Sequence, residues 1–399
     1  MSIRGAYKMV LTLALTLVVM GFFTACKKDN PTSTEANHVV ILVSGGHNSI
    51  ADYLAADLQD VADGYLPTAT VGGNNVLVVL ARTKDRQNKP SVPVLYRMYR
   101  NDAGNAVRDT LLRFSKEDRL FGGTVLQDAL VAVKKHFPAR SYGMVLSSHA
   151  SGWLPEGYYE SPSKFEKGRR SIGQDLDNGV SVEMDLKDFA DAIPYRLEYA
   201  VLDCCLTGGI EVAWELIGRA NLVAFTQTET LADGFNYKNM MNHLLAGPTP
   251  DPRGVCLDFF NLYKDRTGLN QSATISLVDT RQLNMLASVC SVLFEKYRSE
   301  ILALDGNDVQ GYFRSDRHYF YDLKDILVKA GITASETALL DTALDYCLLF
   351  KAATPWFMNT FPITNYCGLS MYLPSMGTEY LNNYYKTRIS WNDATELVR

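Results

Sequence analysis

Residues 142–153 read YGMVLSSHASGW and residues 197–208 read LEYAVLDCCLTG, and the prediction of the fold rests on these two stretches. Each is a short apolar run followed by polar or small residues and then glycine. That pattern is typical of a buried parallel strand that ends at the edge of a sheet. The first stretch would place the imidazole of His149 at this edge, and the second would place a thiol there. An imidazole and a thiol are the two groups that thiolate nucleophilic catalysis requires.

Strands and helices alternate through the chain up to residue 270. The predicted strands are 38–44, 76–80, 94–99, 142–147, 197–203 and 222–226, and the predicted helices are 50–61, 122–137, 186–193 and 208–217. This order predicts an α/β fold with a mostly parallel sheet covered by helices on both faces. Binding sites in such sheets form at the carboxyl ends of the strands, where His149 and the cysteines are predicted to lie.

The C-terminal part of the chain is helix-rich, with two further apolar strands predicted at 273–278 and 369–373. We expect both strands to extend the sheet. The prediction is therefore a core at 38–270 and a C-terminal subdomain at 271–399 that contributes strands to it.

The N-terminus is typical of a secretory signal. Arg4 and Lys8 precede an apolar stretch at 9–23, and small residues then lead into Cys26. This segment resembles the signals of bacterial lipoproteins. The resemblance implies a signal peptide at 1–25, a lipidated tether at 26–37 and attachment through Cys26 to a membrane of the bacterial cell envelope. Two points stay open: whether the protein reaches the outer-membrane surface, and whether the segment is an ordinary signal peptide with an incidental cysteine.

Charge and cysteine spacing exclude two classes of function. The formal net charge is −5, so the chain lacks the basic character of a nucleic-acid-binding protein. No spacing among the cysteines is that of a zinc site. Cys256, Cys290 and Cys347 lie in helical-looking segments and are predicted to be small core residues.

Three segments together resemble one family, the clostripain-like cysteine peptidases. Residues 149–153 (HASGW) resemble its His-Gly-Ser-Gly-Trp motif, and residues 203–208 (DCCLTG) resemble its Asp-Ala-Cys-Leu-Met-Gly run. Residues 368–374 (GLSMYLP) resemble a C-terminal family segment. The resemblance covers nearly all of the chain after the signal. It implies the fold of caspases and gingipains and cleavage of peptides or proteins.

The two adjacent cysteines are not equivalent, because side chains alternate along a strand. The match to the family motif selects Cys205 as the nucleophile, while Cys204 occupies the position of the family's alanine. His149 would be its catalytic partner, with His47 in reserve. By the resemblance, the backbone N–H groups of Ala150 and Cys205 would bind the oxyanion. A helix starting near Gly208 would point its dipole at the thiolate.

The resemblance further implies specificity for a basic residue before the scissile bond. Asp203 and Asp233 are the predicted carboxylates for its side chain. Residues 174–179 (QDLDNG) share some features with a calcium loop but fail its full spacing, so a turn between two short strands is favoured. Calcium stays open, because some family members use it; no other cofactor is expected.

The segment 154–170 is predicted to be an exposed loop because it contains several prolines and glycines. It carries four basic residues that are candidate autocleavage sites, namely Lys164, Lys167, Arg169 and Arg170. Two other functions remain open: a catalytically inactive surface lipoprotein of the same fold that binds a protein or glycan, and hydrolysis of a non-peptide amide by the same two residues.

Overall fold

The computed structural model of the chain describes residues 35–82, 84, 89–155, 172–177, 180–313 and 319–399. Residues 35–399 belong to one compact unit. The predicted lipidation site and the predicted cleavage sites lie outside the described residues, namely Cys26, Lys164, Lys167, Arg169 and Arg170.

The centre of the unit is a nine-stranded sheet. Its strands are β1 (Ala36–Gly45), β2 (Asn75–Arg82), β3 (Val94–Arg100), β4 (Ala106–Arg113), β5 (Ala139–Ser147), β8 (Leu197–Asp203), β9 (Ala220–Phe225), β10 (Thr274–Asp279) and β12 (Leu348–Ala353). The remaining strands form three small two-stranded sheets: β6 (Ile172–Asp177) with β7 (Val180–Met184), β11 (Tyr321–Asp322) with β15 (Ser370–Met371), and β13 (Trp356–Phe357) with β14 (Phe361–Pro362).

The central sheet has the order β12-β10-β9-β8-β5-β1-β2-β3-β4 and is mixed. Five adjacent strands in the middle of the sheet run parallel to one another, namely β9, β8, β5, β1 and β2. Antiparallel strands complete both edges. The predicted parallel strands thus form the middle of the sheet, and their carboxyl ends meet at one edge.

Helices cover both faces of this sheet. They are α1 (Ala51–Asp63), α2 (Val125–His136), α3 (Leu186–Ala192), α4 (Ile210–Glu215), α5 (Tyr237–Met241), α6 (Pro252–Lys264), α7 (Leu283–Leu302), α8 (Leu323–Lys329), α9 (Ala334–Cys347), α10 (Glu379–Arg388) and α11 (Ser390–Thr395). Alternate side chains of each strand enter opposite cores. Val39 and Ile41 pack in one core, and Val40 and Leu42 pack in the other.

One predicted strand was wrong in its position. Of residues 369–373 only Ser370 and Met371 form a strand, and it pairs with β11 rather than with the central sheet. The segment is apolar because it is buried against the helices on one face. The other predicted strand, at 273–278, is β10 and extends the central sheet as expected, and β12, which was not predicted, pairs with it.

Within the described residues, no helix is both long and apolar enough to cross a bilayer. The six cysteines in this part of the chain are all free thiols. Cys256, Cys290 and Cys347 are buried core residues, as predicted.

Candidate active site

Two neighbouring parallel strands bring the predicted catalytic residues to one place. Ser147, at the end of β5, pairs with Asp203 at the end of β8, so the segments that follow begin side by side. His149 lies just beyond β5 and Cys205 just beyond β8. Both residues line one cavity of about 600 Å³. The sequence prediction that these two motifs meet is consistent with this arrangement.

The two motif segments also contact each other through their backbones. A Cβ atom on Gly152, whose φ is +65°, would collide with the carbonyl oxygen of Leu206. Leu206 itself has φ of 60°, a conformation that costs a non-glycine residue roughly 1–2 kcal/mol. Its N–H donates to the carbonyl of Thr228 at 3.0 Å, which helps to hold it there. Strain maintained beside a reactive residue is typical of a functional site.

Ala150 occupies the position at which the family motif has glycine. The described non-glycine residues with positive φ are Leu206, Met358, Asn359 and Glu396, so Ala150 avoids the left-handed region. Ala150 forms an isolated antiparallel bridge with Ile172, at the start of β6. Alanine therefore fits this position without backbone strain.

The imidazole of His149 has a hydroxyl partner that the sequence did not indicate. Its Nε2 lies 2.8 Å from the Oγ of Ser49, in the loop between β1 and α1. This loop is fixed by Asn48, whose amide donates to the carbonyl of Gln174 at 2.9 Å and accepts from the N–H of Ile50 at 3.1 Å. The ring of His149 is thereby oriented through one of its nitrogens.

The two adjacent cysteines have different surroundings. Cys204 is 1% exposed, and its thiol lies 3.7 Å from the carbonyl oxygen of Leu146. Burial raises the pKa of the Cys204 thiol well above its usual value, with the negative charge of Asp203 adding to the effect. Cys205 is only partly buried, and its Sγ accepts from the N–H of Thr230 at 3.3 Å. The same Sγ lies 3.8 Å from the carbonyl oxygen of Thr230, to which the thiol can donate.

A buried carboxylate lies in the same cavity. Asp203 is 7% exposed, and its Oδ2 accepts from the hydroxyls of Tyr237 at 2.8 Å and Ser147 at 3.3 Å. Burial raises the pKa of Asp203 to about 6, and the hydrogen bonds partly offset that rise. A Cβ on Gly234, whose φ is +55°, would lie 2.9 Å from Oδ2, so only glycine leaves room there.

A second acidic side chain, that of Asp57 on α1, also lines the cavity. Burial raises the pKa of Asp57 to about 8, and the charges of Asp203, Asp60 and Asp233 add to this rise. Glu183 and Glu229 are also lining residues, whereas no lysine or arginine is found among the described residues that line the cavity. A positively charged substrate side chain in this cavity would therefore meet acidic side chains and no lysine or arginine from the described lining residues.

The other predicted site residues lie elsewhere. Asp233 is not part of the cavity wall; its carboxylate is 60% exposed and pairs with the guanidinium of Arg266 at 2.9 Å. His47 is likewise outside the wall, with its Nδ1 lying 3.1 Å from the carbonyl oxygen of Leu176. The helix expected from Gly208 begins later, since α4 starts at Ile210 and is only six residues long. Because this helix is so short and begins five residues after Cys205, no role in stabilising the thiolate is assigned to its dipole.

A buried carboxylate connects both motifs to the C-terminal part of the chain. Oε1 of Glu211, on α4, accepts from the N–H of Tyr372 at 2.8 Å and from the hydroxyl of Tyr385 at 2.9 Å. Both tyrosine rings pack against Trp153 of the His149 motif, with centroid distances of 4.9 and 5.1 Å. Burial raises the pKa of Glu211 to about 7.

Residues 174–177 of the segment 174–179 belong to β6, which pairs antiparallel with β7. The two short strands of the favoured prediction are present, and residues 178 and 179 between them lie outside the described residues. Asp175 is fully buried in an ion pair with Arg82 and accepts from the N–H of Leu120 at 3.0 Å. Among the described residues, no group of three or more His, Cys, Asp or Glu side chains could hold a metal ion.

Sequence reasoning missed Ser49, Asp57 and Met358, all of which line the cavity. Ser49 lies beyond the first strand, so the rule that sites form at carboxyl ends could have indicated it. Asp57 is one polar residue among several on an amphipathic helix. No signal in the sequence around Met358 points to the cavity.

The comparisons with known proteins agree with this geometry. The model of the clostripain family matches residues 43–342. Comparison with curated proteins finds no match. Among solved structures, the chain is similar to an inactive zymogen C11 protease from Parabacteroides distasonis. The two share 25% identity and a TM-score of 0.75 over 90% of this chain and 98% of that one.

Two structures from Bacteroides thetaiotaomicron share the fold. One is a secreted C11 cysteine protease, with 19% identity and a TM-score of 0.74 over 92% of this chain and 100% of that chain. The other is such a protease in complex with an irreversible peptide inhibitor, with 20% identity and a TM-score of 0.72 over 90% and 99%. Family and fold agree with a thiol and an imidazole in one cavity: the chain belongs to the clostripain family and is a cysteine peptidase.

Proposed function

We propose that this cysteine peptidase is an endopeptidase that cleaves after arginine or lysine with a dyad of His149 and Cys205. The observation that carries the proposal is the shared cavity, which holds a thiol, an imidazole and the buried carboxylate of Asp203. A nucleophile, a general acid and a specificity determinant are the parts that such a reaction needs.

Cys205 is the nucleophile in this proposal. Its sulfur is partly exposed in the cavity and accepts a hydrogen bond from Thr230, whereas the sulfur of Cys204 is buried against β5. A buried thiol with a raised pKa does not form a thiolate at neutral pH. Cys204 therefore serves as a small core residue.

His149 exchanges the proton. Because its Nε2 is engaged by Ser49, its Nδ1 is assigned to the thiol of Cys205. The thiolate attacks the carbonyl carbon of the scissile bond, and His149 then protonates the leaving amine. Water hydrolyses the resulting thioester, and the thiolate is restored. The N–H groups of Ala150 and Cys205 are proposed to stabilise the oxyanion in both steps.

Asp203 is proposed to bind the basic side chain. It is buried and ionises only at some cost, which a guanidinium or ammonium group would offset. Asp57 lines the same cavity, and because burial raises its pKa to about 8, a bound cation would favour its ionised form. Asp233 does not contact the basic side chain in this proposal, because its carboxylate already pairs with Arg266. It acts on the substrate only through long-range electrostatic attraction.

Autocleavage is proposed after Lys164, Lys167, Arg169 or Arg170. Pro155 and Ile172, the described residues on either side, are both buried and so remain anchored. Strands β5 and β8 lie on opposite sides of the cut in sequence and pair along their length. The two fragments would therefore stay associated. Lipidation at Cys26 and anchoring in the bacterial cell envelope complete the proposal.

The test is a purified protein of residues 27–399 with matched peptides that differ only in the residue before the scissile bond. We expect cleavage of the arginine and lysine peptides and little cleavage of a norleucine peptide, with all activity lost in Cys205→Ala. Equal cleavage of all three peptides would refute the specificity. Absence of any cleavage, before and after incubation with trypsin to cut the chain between the two motifs, would favour the inactive binding module.

A further inference from the structure

The cavity has an apolar side that the catalytic assignment does not use. Met358 and Leu231 both line it, and both are only partly buried. Leu231 lies in the segment after β9, whereas Met358 lies at the tip of the β13–β14 hairpin. Two separate parts of the chain thus present apolar side chains to the cavity that contains Cys205.

Met358 is held in an unfavourable conformation. Its φ is 47° and that of Asn359 is 52°, which places two successive non-glycine residues in the left-handed region. The N–H of Thr360 donates to the carbonyl of Phe357 at 2.8 Å and closes the turn. Turns of this type favour asparagine, aspartate or glycine. Asparagine suits its position, whereas methionine has no conformational reason to occupy the other.

The hairpin is firmly attached, so the conformation of Met358 is determined by its surroundings. The N–H of Met358 donates to the Oγ of Ser272 at 2.6 Å. Phe357 is 1% exposed and stacks on Phe361 at a centroid distance of 5.5 Å. A strained residue persists only where the surrounding structure fixes it, and such residues cluster at ligand-binding sites.

Sheet order determines which part of a peptide would reach Met358. Strands β5, β8, β9 and β10 are successive neighbours, so the edge carries His149, then Cys205, then Leu231. Ser272, which accepts the hydrogen bond from Met358, lies two residues before β10 at that same edge. Because His149 must protonate the leaving amine, the product amine departs on the side of β5. The acyl part of the peptide therefore extends toward Leu231 and Met358.

We propose that Met358 and Leu231 form a subsite for a large apolar side chain of the substrate, N-terminal to the residue at the scissile bond. The subsite deepens the proposed function and rests on it. It selects peptides in which a basic residue follows an apolar one within a few positions. Met358 contacts the substrate directly and is therefore a specificity-determining residue.

The test compares the intact protein with Met358→Gly, Met358→Asn and the control Asn359→Gly. Both glycine variants relieve the left-handed strain, but only Met358→Gly removes a side chain from the cavity. The substrates are peptides with a fixed arginine and either leucine or serine at each of the three preceding positions. We expect the leucine-to-serine preference of wild type to fall about tenfold in both Met358 variants and to persist in Asn359→Gly.

The outcomes separate this inference from the proposed function. If wild type cleaves after arginine but both Met358 variants keep the full preference, the subsite is refuted and the basic specificity stands. If the preference changes only for positions after the scissile bond, the orientation is refuted. If wild type cleaves no arginine peptide, the proposed function itself fails. Thermal unfolding of each variant, expected at or above the wild-type midpoint, excludes misfolding as the cause.

Discussion

The Oγ of Ser49 lies 2.8 Å from the Nε2 of His149 and so connects the loop after β1 to the imidazole beyond β5. In the proposed dyad, the other ring nitrogen, Nδ1, exchanges the proton with the thiol of Cys205. A hydrogen bond that fixes one nitrogen of a catalytic histidine also fixes the ring's orientation. Ser49 is in these terms a positioning residue.

Ser49→Ala should therefore lower kcat/KM about tenfold, because a general acid loses efficiency when its orientation is relaxed. Ser49→Thr retains a hydroxyl and should recover most of the activity. Ser151→Ala removes another hydroxyl-bearing side chain that lines the cavity and serves as the control. The pH profile of kcat/KM should shift in Ser49→Ala alone; an unchanged rate and profile would show that the hydrogen bond has no catalytic role.

Asp203→Asn should lower kcat/KM about a hundredfold for arginine peptides and little for norleucine peptides, because only the charged side chain loses its partner. Asp233→Asn is the matched control, and its ion pair with Arg266 predicts a much smaller effect. Equal losses for arginine and norleucine in Asp203→Asn would contradict the assignment.

The same carboxylate predicts a pH dependence of substrate selection. Burial raises the pKa of Asp203 to about 6, so the group is protonated below that pH. The preference of wild type for arginine should therefore decline as pH falls through about 6, while Asp203→Asn should show no such decline. The measurement is the ratio of kcat/KM for arginine and norleucine peptides between pH 5 and 8. Rate changes that affect both peptides equally cancel in this ratio. The ratio therefore reports only how the charged side chain of the substrate is bound.

Glu211→Gln should make stability less dependent on pH. Burial raises the pKa of Glu211 from 4.5 to about 7, so its protonated form stabilises the folded state at low pH. That contribution is complete below pH 4.5 and is lost as pH rises through 7. Glutamine keeps an acceptor for Tyr372 and Tyr385 and carries no charge.

The variant should therefore match wild type near pH 5 and exceed its free energy of unfolding by about 2–4 kcal/mol at pH 8. Denaturant unfolding at both pH values measures this difference. Glu379→Gln, an exposed substitution at the start of α10, is the control. A difference of the same size at both pH values would show that Glu211 does not titrate in this range.

Local patterns predicted the strands that carry the site, because buried parallel strands are short, apolar and bounded by glycine or polar residues. Strand β4 was not predicted, since all of its side chains are exposed or half-buried and they form no apolar run. Segment 369–373 was placed in the central sheet because its apolar residues are indistinguishable by sequence from those of a buried strand.

The site was predictable only where a motif lies next to a strand end. His149, Cys205 and Asp203 follow or end apolar runs, and all three line the cavity. Asp57 reaches it from the face of a helix, and Met358 from a hairpin that is distant in sequence. Their placement depends on how α1 and the C-terminal part pack on the sheet, which is decided by tertiary contacts and not by local pattern.

Incubation of wild type should produce fragments with new N-termini after Lys164, Lys167, Arg169 or Arg170. The reason is that an enzyme selecting basic residues meets four of them within seven positions of its own sequence. Cys205→Ala, incubated alone, should stay intact, and size-exclusion chromatography should recover the wild-type fragments together. An active wild type that remains uncut would refute the proposal, as would equal nicking of Cys205→Ala.

The central claim is that Cys205 attacks the substrate from the cavity that it shares with His149 and Asp203. The most direct measurement is labelling of wild type, Cys204→Ala and Cys205→Ala with a thiol-reactive peptide ending in arginine, followed by mass spectrometry of the digested protein. The account predicts one adduct on Cys205 in wild type and Cys204→Ala, and none in Cys205→Ala. An adduct on Cys204, or labelling that survives in Cys205→Ala, would contradict it.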